Sequence, residues 1–191
     1  MTAENIIITI RNELIGSISI LDGWFDKDDT LIDHKPTSGD WCVRELLEHV
    51  MLTNRFLMNF IDQGSADAMR QSIAGDFRDF IENYCLENLA LTDVGIHRSF
   101  YSTIHDHMAP TGKASLSEVR REIREQLDRC LIHLELLRNG EGILYKTNMS
   151  VSGFGKLDVY QNIYFLAHHV MRYVHQLEKI EEDYDNAWEK A

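Results

Sequence analysis

The segment FLAHHVMRYVHQL, residues 165–177, decides the predicted fold and contains most of the candidate site. Its apolar residues recur at spacings of three and four, the pattern of a helix with one face turned toward a core; they are Leu166, Val170, Tyr173, Leu177 and the following Ile180. His168, His169 and His175 lie on or beside this face. Because burying an unpaired polar group costs about 1–3 kcal/mol, each imidazole needs a hydrogen-bond partner, a metal ion or water. We therefore expect any chemistry to occur here.

The helical period continues along the rest of the chain and predicts an all-α protein. Only two prolines occur, Pro36 and Pro110, and both lie between periodic segments, so long helices can form without interruption. Helix one is predicted over residues 3–24, and the polar residues 26–40 connect it to helix two.

Helix two is predicted to start with a capping box. Cys42 lies at the cap position and Glu45 follows three residues later, while Trp41 and Leu46 can form a hydrophobic staple around them. A thiol accepts a hydrogen bond less well than a hydroxyl, so we expect Glu45 and the staple to stabilise this helix start. The helix is predicted to end at Gly64.

A long helical crossover is predicted between helices two and three. Residues 64–112 are less regular than their surroundings and show helical patterns near residues 66–89 and 94–108.

Helices three and four also have capping boxes. Ser115 and Glu118 form the box of helix three, which is predicted to end at residues 139–140. Asp158 and Gln161 form the box of helix four.

These connections predict an up-down-down-up four-helix bundle, since short connections make neighbours antiparallel and the crossover can return helix three parallel to helix two. His49 lies on the apolar face of helix two, ~10 Å from its start, and His169 lies ~16 Å into helix four. They meet at one level if helix four extends beyond helix two. The acidic residues 181–185 are predicted to form that extension, exposed to solvent.

The composition predicts one soluble, cytoplasmic domain over residues 1–191. We expect no membrane association, because no early stretch resembles a signal peptide and no apolar run approaches membrane-spanning length. Three widely spaced cysteines without a CxxC pair fit a reducing compartment. The formal net charge of -12 repels phosphate backbones and argues against nucleic acid as a partner.

Two stretches resemble a known family. Residues 41–49, WCVRELLEH, are similar to the second-helix signature of the DinB-like superfamily, which includes the YfiT-type metalloenzymes. Residues 155–157, GKL, together with residues 165–177 resemble that family's fourth-helix pattern. The resemblance implies an up-down-down-up bundle and a divalent metal, zinc or nickel, held by one histidine of helix two and two histidines four apart on helix four. Some members are thiol-dependent transferases or isomerases.

The family's metal ligands carry over to two of three positions. The first corresponds to His49 and the second to His169, but Tyr173 occupies the third position, four residues after His169. Two imidazoles at that spacing can chelate one ion, whereas a phenol loses its proton only near pH ~10 unless a metal displaces it. His49, His169 and Tyr173 are thus the candidate metal ligands of a degenerate site. His168 and His175 lie ~10 Å apart along the helix, too far to share one ion.

Two functions remain open. In the first, the protein is a thiol transferase or a metal-assisted hydrolase, with an open metal position for water or a low-molecular-weight thiol. In the second, the bundle has lost the metal and is a small-molecule-binding or homodimerising module. His49, His169 and Tyr173 then form a hydrogen-bonded cluster at the floor of a pocket.

Overall fold

The computed structural model describes residues 2–73, 75, 77–86, 108–147 and 155–188. These residues are mainly helical, which confirms the predicted all-α class. The α-helices are α1 (Ala3–Asp22), α2 (Asp29–Ile32), α3 (Val43–Ser72), α4 (Arg78–Glu82), α5 (Leu116–Leu136) and α6 (Val159–Trp188), with 3-10 turns at Gly23–Asp26 and Glu141–Ile143. A small antiparallel sheet, which the sequence did not predict, pairs β1 (Lys146–Thr147) with β2 (Leu157–Asp158).

The four long helices, α1, α3, α5 and α6, correspond to the four predicted helices. Both α1 and α3 pack against α5 and against α6. Each long helix contributes to one apolar core, for example through Leu14, Leu47, Leu134 and Val170. Burying a side chain of this size stabilises the fold by about 1.5–3 kcal/mol, so this shared core holds the helices that carry the candidate site.

The three predicted helix starts are confirmed: Cys42, Ser115 and Asp158 lie at the N-caps of α3, α5 and α6. The Glu45 carboxylate accepts a hydrogen bond from the Cys42 backbone N–H at 2.9 Å. Asp158 Oδ1 accepts one from the Gln161 backbone N–H, also at 2.9 Å. The caps therefore fix where α3 and α6 begin, and with that the height of every later residue along each helix.

The predicted end of helix two at Gly64 is wrong, because α3 continues to Ser72. Gly64 is buried, and a Cβ atom built there would lie 3.0 Å from Val159 Cγ2, at the start of α6. The missing side chain thus allows α3 and α6 to approach closely. A glycine in a helix can serve such packing as well as a helix end.

The predicted crossover is shorter than residues 64–112, since its first part belongs to α3 and the next described helix is the short α4 (Arg78–Glu82). The helical pattern predicted near residues 94–108 lies almost entirely outside the described residues.

The acidic end of α6, residues 181–185, is exposed or half-buried, as predicted for a solvated extension, but it also packs against the connection between α1 and α3. Asp183 accepts hydrogen bonds from the Thr37 hydroxyl at 2.8 Å and from His34 Nε2 at 2.9 Å. Tyr184 donates one to Thr30 Oγ1 at 2.9 Å. Charge alone did not reveal these partners, which lie about 150 residues earlier in the chain.

A search of the helices in the described residues for a membrane-spanning segment found none of sufficient length and hydrophobicity.

Candidate functional site

The structure brings His49, His169 and Tyr173 together between α3 and α6. The ring centroids of His49 and His169 lie 6.1 Å apart, and the Tyr173 ring lies 4.9 Å from His49 and 4.8 Å from His169. The Tyr173 hydroxyl and His49 Nε2 are hydrogen-bonded at 2.8 Å. The two helices therefore place all three predicted ligand positions in one cluster, which we call the His–Tyr cluster.

The hydrogen bonds of His49 define its tautomer. His49 Nδ1 lies 2.7 Å from the backbone oxygen of Met108, and a carbonyl oxygen only accepts, so Nδ1 carries the proton. In the neutral imidazole Nε2 is then the acceptor for the Tyr173 hydroxyl. Thr53 Oγ1 lies 3.4 Å from the same Nε2, and the Trp41 ring packs 4.8 Å from the His49 ring. Contacts at both ring nitrogens and with the Trp41 ring therefore fix the orientation of the imidazole.

The His–Tyr cluster is almost fully desolvated, with exposed fractions of 3% for His49 and 9% for each of His169 and Tyr173. Burial, followed by the charges of His49 and Arg172, lowers the pKa of His169 to about 3. Burial also lowers the pKa of His49, although the Met108 carbonyl acts in the opposite direction, and it raises the pKa of Tyr173. All three side chains are therefore neutral at pH 7.

In the described part of the chain, the ring nitrogens of His169 are less completely paired than those of His49. His169 Nδ1 is buried and has no hydrogen-bond partner among the described residues. The ring packs against Tyr173 and, at a centroid distance of 6.0 Å, against Phe165. A buried polar atom of this kind costs about 1–3 kcal/mol unless water or a ligand pairs with it.

The other two histidines of α6 do not join the cluster. His168 is one residue from His169 and is therefore turned by about 100° around the helix. It is half-buried, and its ring packs edge-on against Tyr164 at 4.3 Å. His175 is exposed. Of the three imidazoles in the α6 segment, the structure brings only His169 to His49.

Sequence reasoning missed the residues that cover this site. Glu48 is 5% exposed, and its carboxylate accepts hydrogen bonds from the Thr111 hydroxyl at 2.8 Å, the Thr111 N–H at 3.1 Å and the Gly112 N–H at 2.6 Å. A carboxylate beside His49 on a largely apolar helix face was the one available signal. Met108 and Thr111 gave none, because their partners on α3 are 59 and 63 residues away in the chain.

The residues present do not fit a preformed three-ligand zinc or nickel site. His49 and His169 are neutral imidazoles, as a metal requires, but the third group is a phenol whose pKa is raised by burial. Its hydroxyl also occupies the His49 Nε2 lone pair that an ion would need. Nowhere in the described ranges do three or more His, Cys, Asp or Glu side chains form a group that could hold a metal ion.

Comparisons with protein-family models, curated proteins and solved structures found no match. The DinB-like resemblance therefore rests on its two stretches and stays a prediction.

Proposed function

We propose that residues 1–191 form one DinB-like four-helix bundle, and that its His–Tyr cluster binds a small polar molecule in place of a metal ion. The observation that carries this proposal is the 2.8 Å hydrogen bond between Tyr173 and His49 Nε2. It uses, within the protein, the lone pair that a metal would take. The buried Nδ1 of His169 has no partner among the described residues and would gain one from a bound ligand.

The chemistry of the cluster favours an uncharged ligand. Its three side chains are neutral and almost fully buried, so they offer hydrogen bonds but no opposite charge. Desolvating an ion in such a site costs several kcal/mol, and neutral groups cannot offset that cost. A low-molecular-weight thiol would bind in its protonated form, since an imidazole nitrogen can accept a weak S–H hydrogen bond.

The up-down-down-up topology is part of the proposal, and contacts between α3 and α6 support an antiparallel arrangement of these helices. Near the start of α3, His49 contacts Tyr173 in the middle of α6. Further along α3, Gly64 lies against Val159, the first residue of α6.

Contacts between α3 and α5 support a parallel arrangement. The α3 residues Arg55 and Asp62 pair with Glu122 and His133, in the same order along α5. Asp22, the last residue of α1, pairs with Arg120 near the start of α5, which supports an antiparallel arrangement of α1 and α5. Together these directions correspond to up, down, down and up.

A metal-dependent thiol transferase or hydrolase is the second candidate. The observation that favours it is the bond from His49 Nδ1 to the Met108 carbonyl, because metal-ligating histidines commonly donate their other ring N–H to such an oxygen. In that case His49, His169 and Tyr173 would hold a zinc or nickel ion.

Calorimetric titration with zinc and nickel separates the two candidates. We expect weak binding to the native protein, and affinity roughly 100-fold higher in Tyr173→His, because an (i, i+4) pair with His169 completes a three-histidine set. The gain should disappear in Tyr173→His combined with His49→Ala. Native protein that binds metal as tightly as Tyr173→His would favour the metal-dependent candidate. A gain that survives removal of His49 would contradict the proposed convergence of the two helices on one ligand.

Ligand binding is tested by NMR of histidine-15N-labelled protein with matched probes. 2-Mercaptoethanol and ethylene glycol differ only in a thiol, and mercaptoacetate adds a charge. We expect the uncharged probes to shift the ring signals of His49 and His169 more than mercaptoacetate does. His168, on the same helix but outside the cluster, is the internal control. Equal shifts at His168, or none at His49 and His169 with any probe, would contradict the proposed binding site.

A homodimer and a cytoplasmic location also remain proposals. Sedimentation equilibrium over a range of protein concentrations tests the dimer.

A further inference from the structure

We infer that Glu48 is a positioning residue for His49, acting through the backbone of residues 108–112. Glu48 and His49 are neighbours on α3 and hold the same segment at two points. The inference rests on the proposed role of His49 as a hydrogen-bonding group of the site.

The first point of attachment is the Glu48 carboxylate. One oxygen accepts from the backbone N–H groups of Thr111 and Gly112, and the other accepts from the Thr111 hydroxyl. Hydrogen bonds to a charged group are stronger than those between neutral groups, and these are enclosed, since Glu48 is 5% exposed. Residues 111 and 112 are therefore fixed relative to α3.

The second point is Met108, whose backbone oxygen accepts from His49 Nδ1 at 2.7 Å. Only two residues separate Met108 from Thr111, and one of them is Pro110, whose ring fixes its φ angle. A short connection with a fixed dihedral transmits the position of Thr111 to Met108. Glu48 thereby determines the position of the Met108 carbonyl, to which His49 Nδ1 donates.

The consequence for the site is the direction of its hydrogen bonds. With Met108 in place, the proton of neutral His49 is on Nδ1, and Nε2 accepts from the Tyr173 hydroxyl. Without that carbonyl, the proton can move to Nε2, and the Tyr173 hydroxyl must then turn to accept. The cluster would present the opposite donor and acceptor pattern to a ligand.

The experiment measures the tautomer of His49 by its two ring 15N shifts at a pH where the ring is neutral, with the signals assigned from a His49→Gln variant. We expect native protein to show the Nδ1–H tautomer. Glu48→Ala should lose this single form and give a mixture of both tautomers. Glu48→Gln should restore the native pattern, because its amide oxygen can accept from the two N–H groups while its NH2 donates to the Thr111 hydroxyl.

The matched control is Glu141→Ala. Glu141 is also 5% exposed and also holds a loop, through the N–H and side-chain amide of Asn139. It lies next to Gly142, which packs on Tyr160 near the start of α6, two turns or more before His169. We expect this variant to lower the melting temperature and to leave the His49 tautomer unchanged. A change in the tautomer would overturn the inference, because general loss of stability would then be enough to cause it.

A folded Glu48→Ala protein that keeps the native tautomer would also overturn the inference. If that variant does not fold, Thr111→Val should shift the tautomer in the same direction but less, because it removes the hydroxyl that donates to Glu48 and accepts from the Lys113 N–H but keeps both N–H bonds to the carboxylate. An unchanged tautomer in a folded Thr111→Val protein would then overturn it. If Glu48 controls the tautomer while no probe binds the cluster, the proposed function fails and the positioning role stands.

Discussion

Helix α6 carries two buried polar clusters that use their side chains differently. Near its start, Asp158, Tyr160 and Asn162 form what we call the capping cluster, which binds mainly to backbone. The Tyr160 hydroxyl donates to the carbonyl of Leu137, and Asn162 Nδ2 donates to the carbonyls of Leu157 at 3.2 Å and Asp158 at 2.8 Å. These bonds join the start of α6 to the end of α5 and to β2.

In the His–Tyr cluster, by contrast, the main bond joins two side chains, Tyr173 and His49. The other contacts of this cluster are the Met108 carbonyl at His49 Nδ1 and the Thr53 hydroxyl, 3.4 Å from His49 Nε2. Backbone groups at helix ends must be paired for the fold to form, whereas a pair of side chains can be replaced by apolar groups of the same shape at little cost. We therefore expect the capping cluster to contribute mainly to stability, and the role of the His–Tyr cluster in binding stays a proposal.

The largest expected effect is a pH dependence of opposite sign in the two clusters. The folded-state pKa of His169 is about 3, below its ordinary 6.5, so the unfolded chain takes up a proton first as the pH falls. The contribution of His169 to stability is complete above pH 6.5 and declines toward pH 3. Relative to His169→Gln, native protein should lose roughly 3 kcal/mol between pH 7 and pH 4, measured by urea unfolding.

Asp158 should show the reverse. Burial raises its pKa from 3.8 to about 6, so the folded state holds the proton more tightly than the unfolded chain. Its contribution is complete below pH 3.8 and is lost as the pH rises through about 6. Relative to Asp158→Asn, native protein should lose about 2.4 kcal/mol between pH 4 and pH 7. If stability changed with pH in the same direction for both residues, the contrast between the two clusters would be wrong.

Two tyrosine variants test whether the capping cluster contributes more to stability than the His–Tyr cluster, with smaller expected effects than the pH dependence. Tyr160→Phe removes one of the two donors to the Leu137 carbonyl, which keeps the Gly140 N–H at 3.1 Å, and should lower the free energy of unfolding by about 1.5 kcal/mol. Tyr173→Phe removes the closer of the two hydroxyls at His49 Nε2 and leaves Thr53 Oγ1 at 3.4 Å, so we expect a cost of about 1 kcal/mol. Denaturant unfolding of both variants at pH 7 gives the difference. A larger cost for Tyr173→Phe would make the His–Tyr cluster a structural element.

The smallest effect concerns the caps of the two helices that form the site. Asp158 caps α6 with a good acceptor, whereas Cys42 caps α3 with a thiol. Cys42→Ser should raise the free energy of unfolding by up to about 1 kcal/mol, since a hydroxyl accepts the cap hydrogen bond better. The melting temperature measures this. A lower value would mean that burial of the thiol, which is 6% exposed, contributes more than the cap.

Much of the fold could be predicted because its signals are local. The caps at Cys42, Ser115 and Asp158 lie within three residues of their partners, and the apolar period of each long helix repeats within one or two turns. Gly64 shows where this reasoning failed. Its role depends on Val159, and the sequence offers no means of seeing that contact.

For the site, the sequence by itself determined the residue types and their phase. Tyr173 follows His169 by four residues, so any helix places them on one face, and no third histidine is available there. The tertiary structure alone decided that Tyr173 donates to His49, that Met108 fixes the tautomer and that Glu48 holds the covering segment. These bonds join residues 59 to 124 positions apart, and packing of the whole core sets such distances, beyond the reach of local spacing.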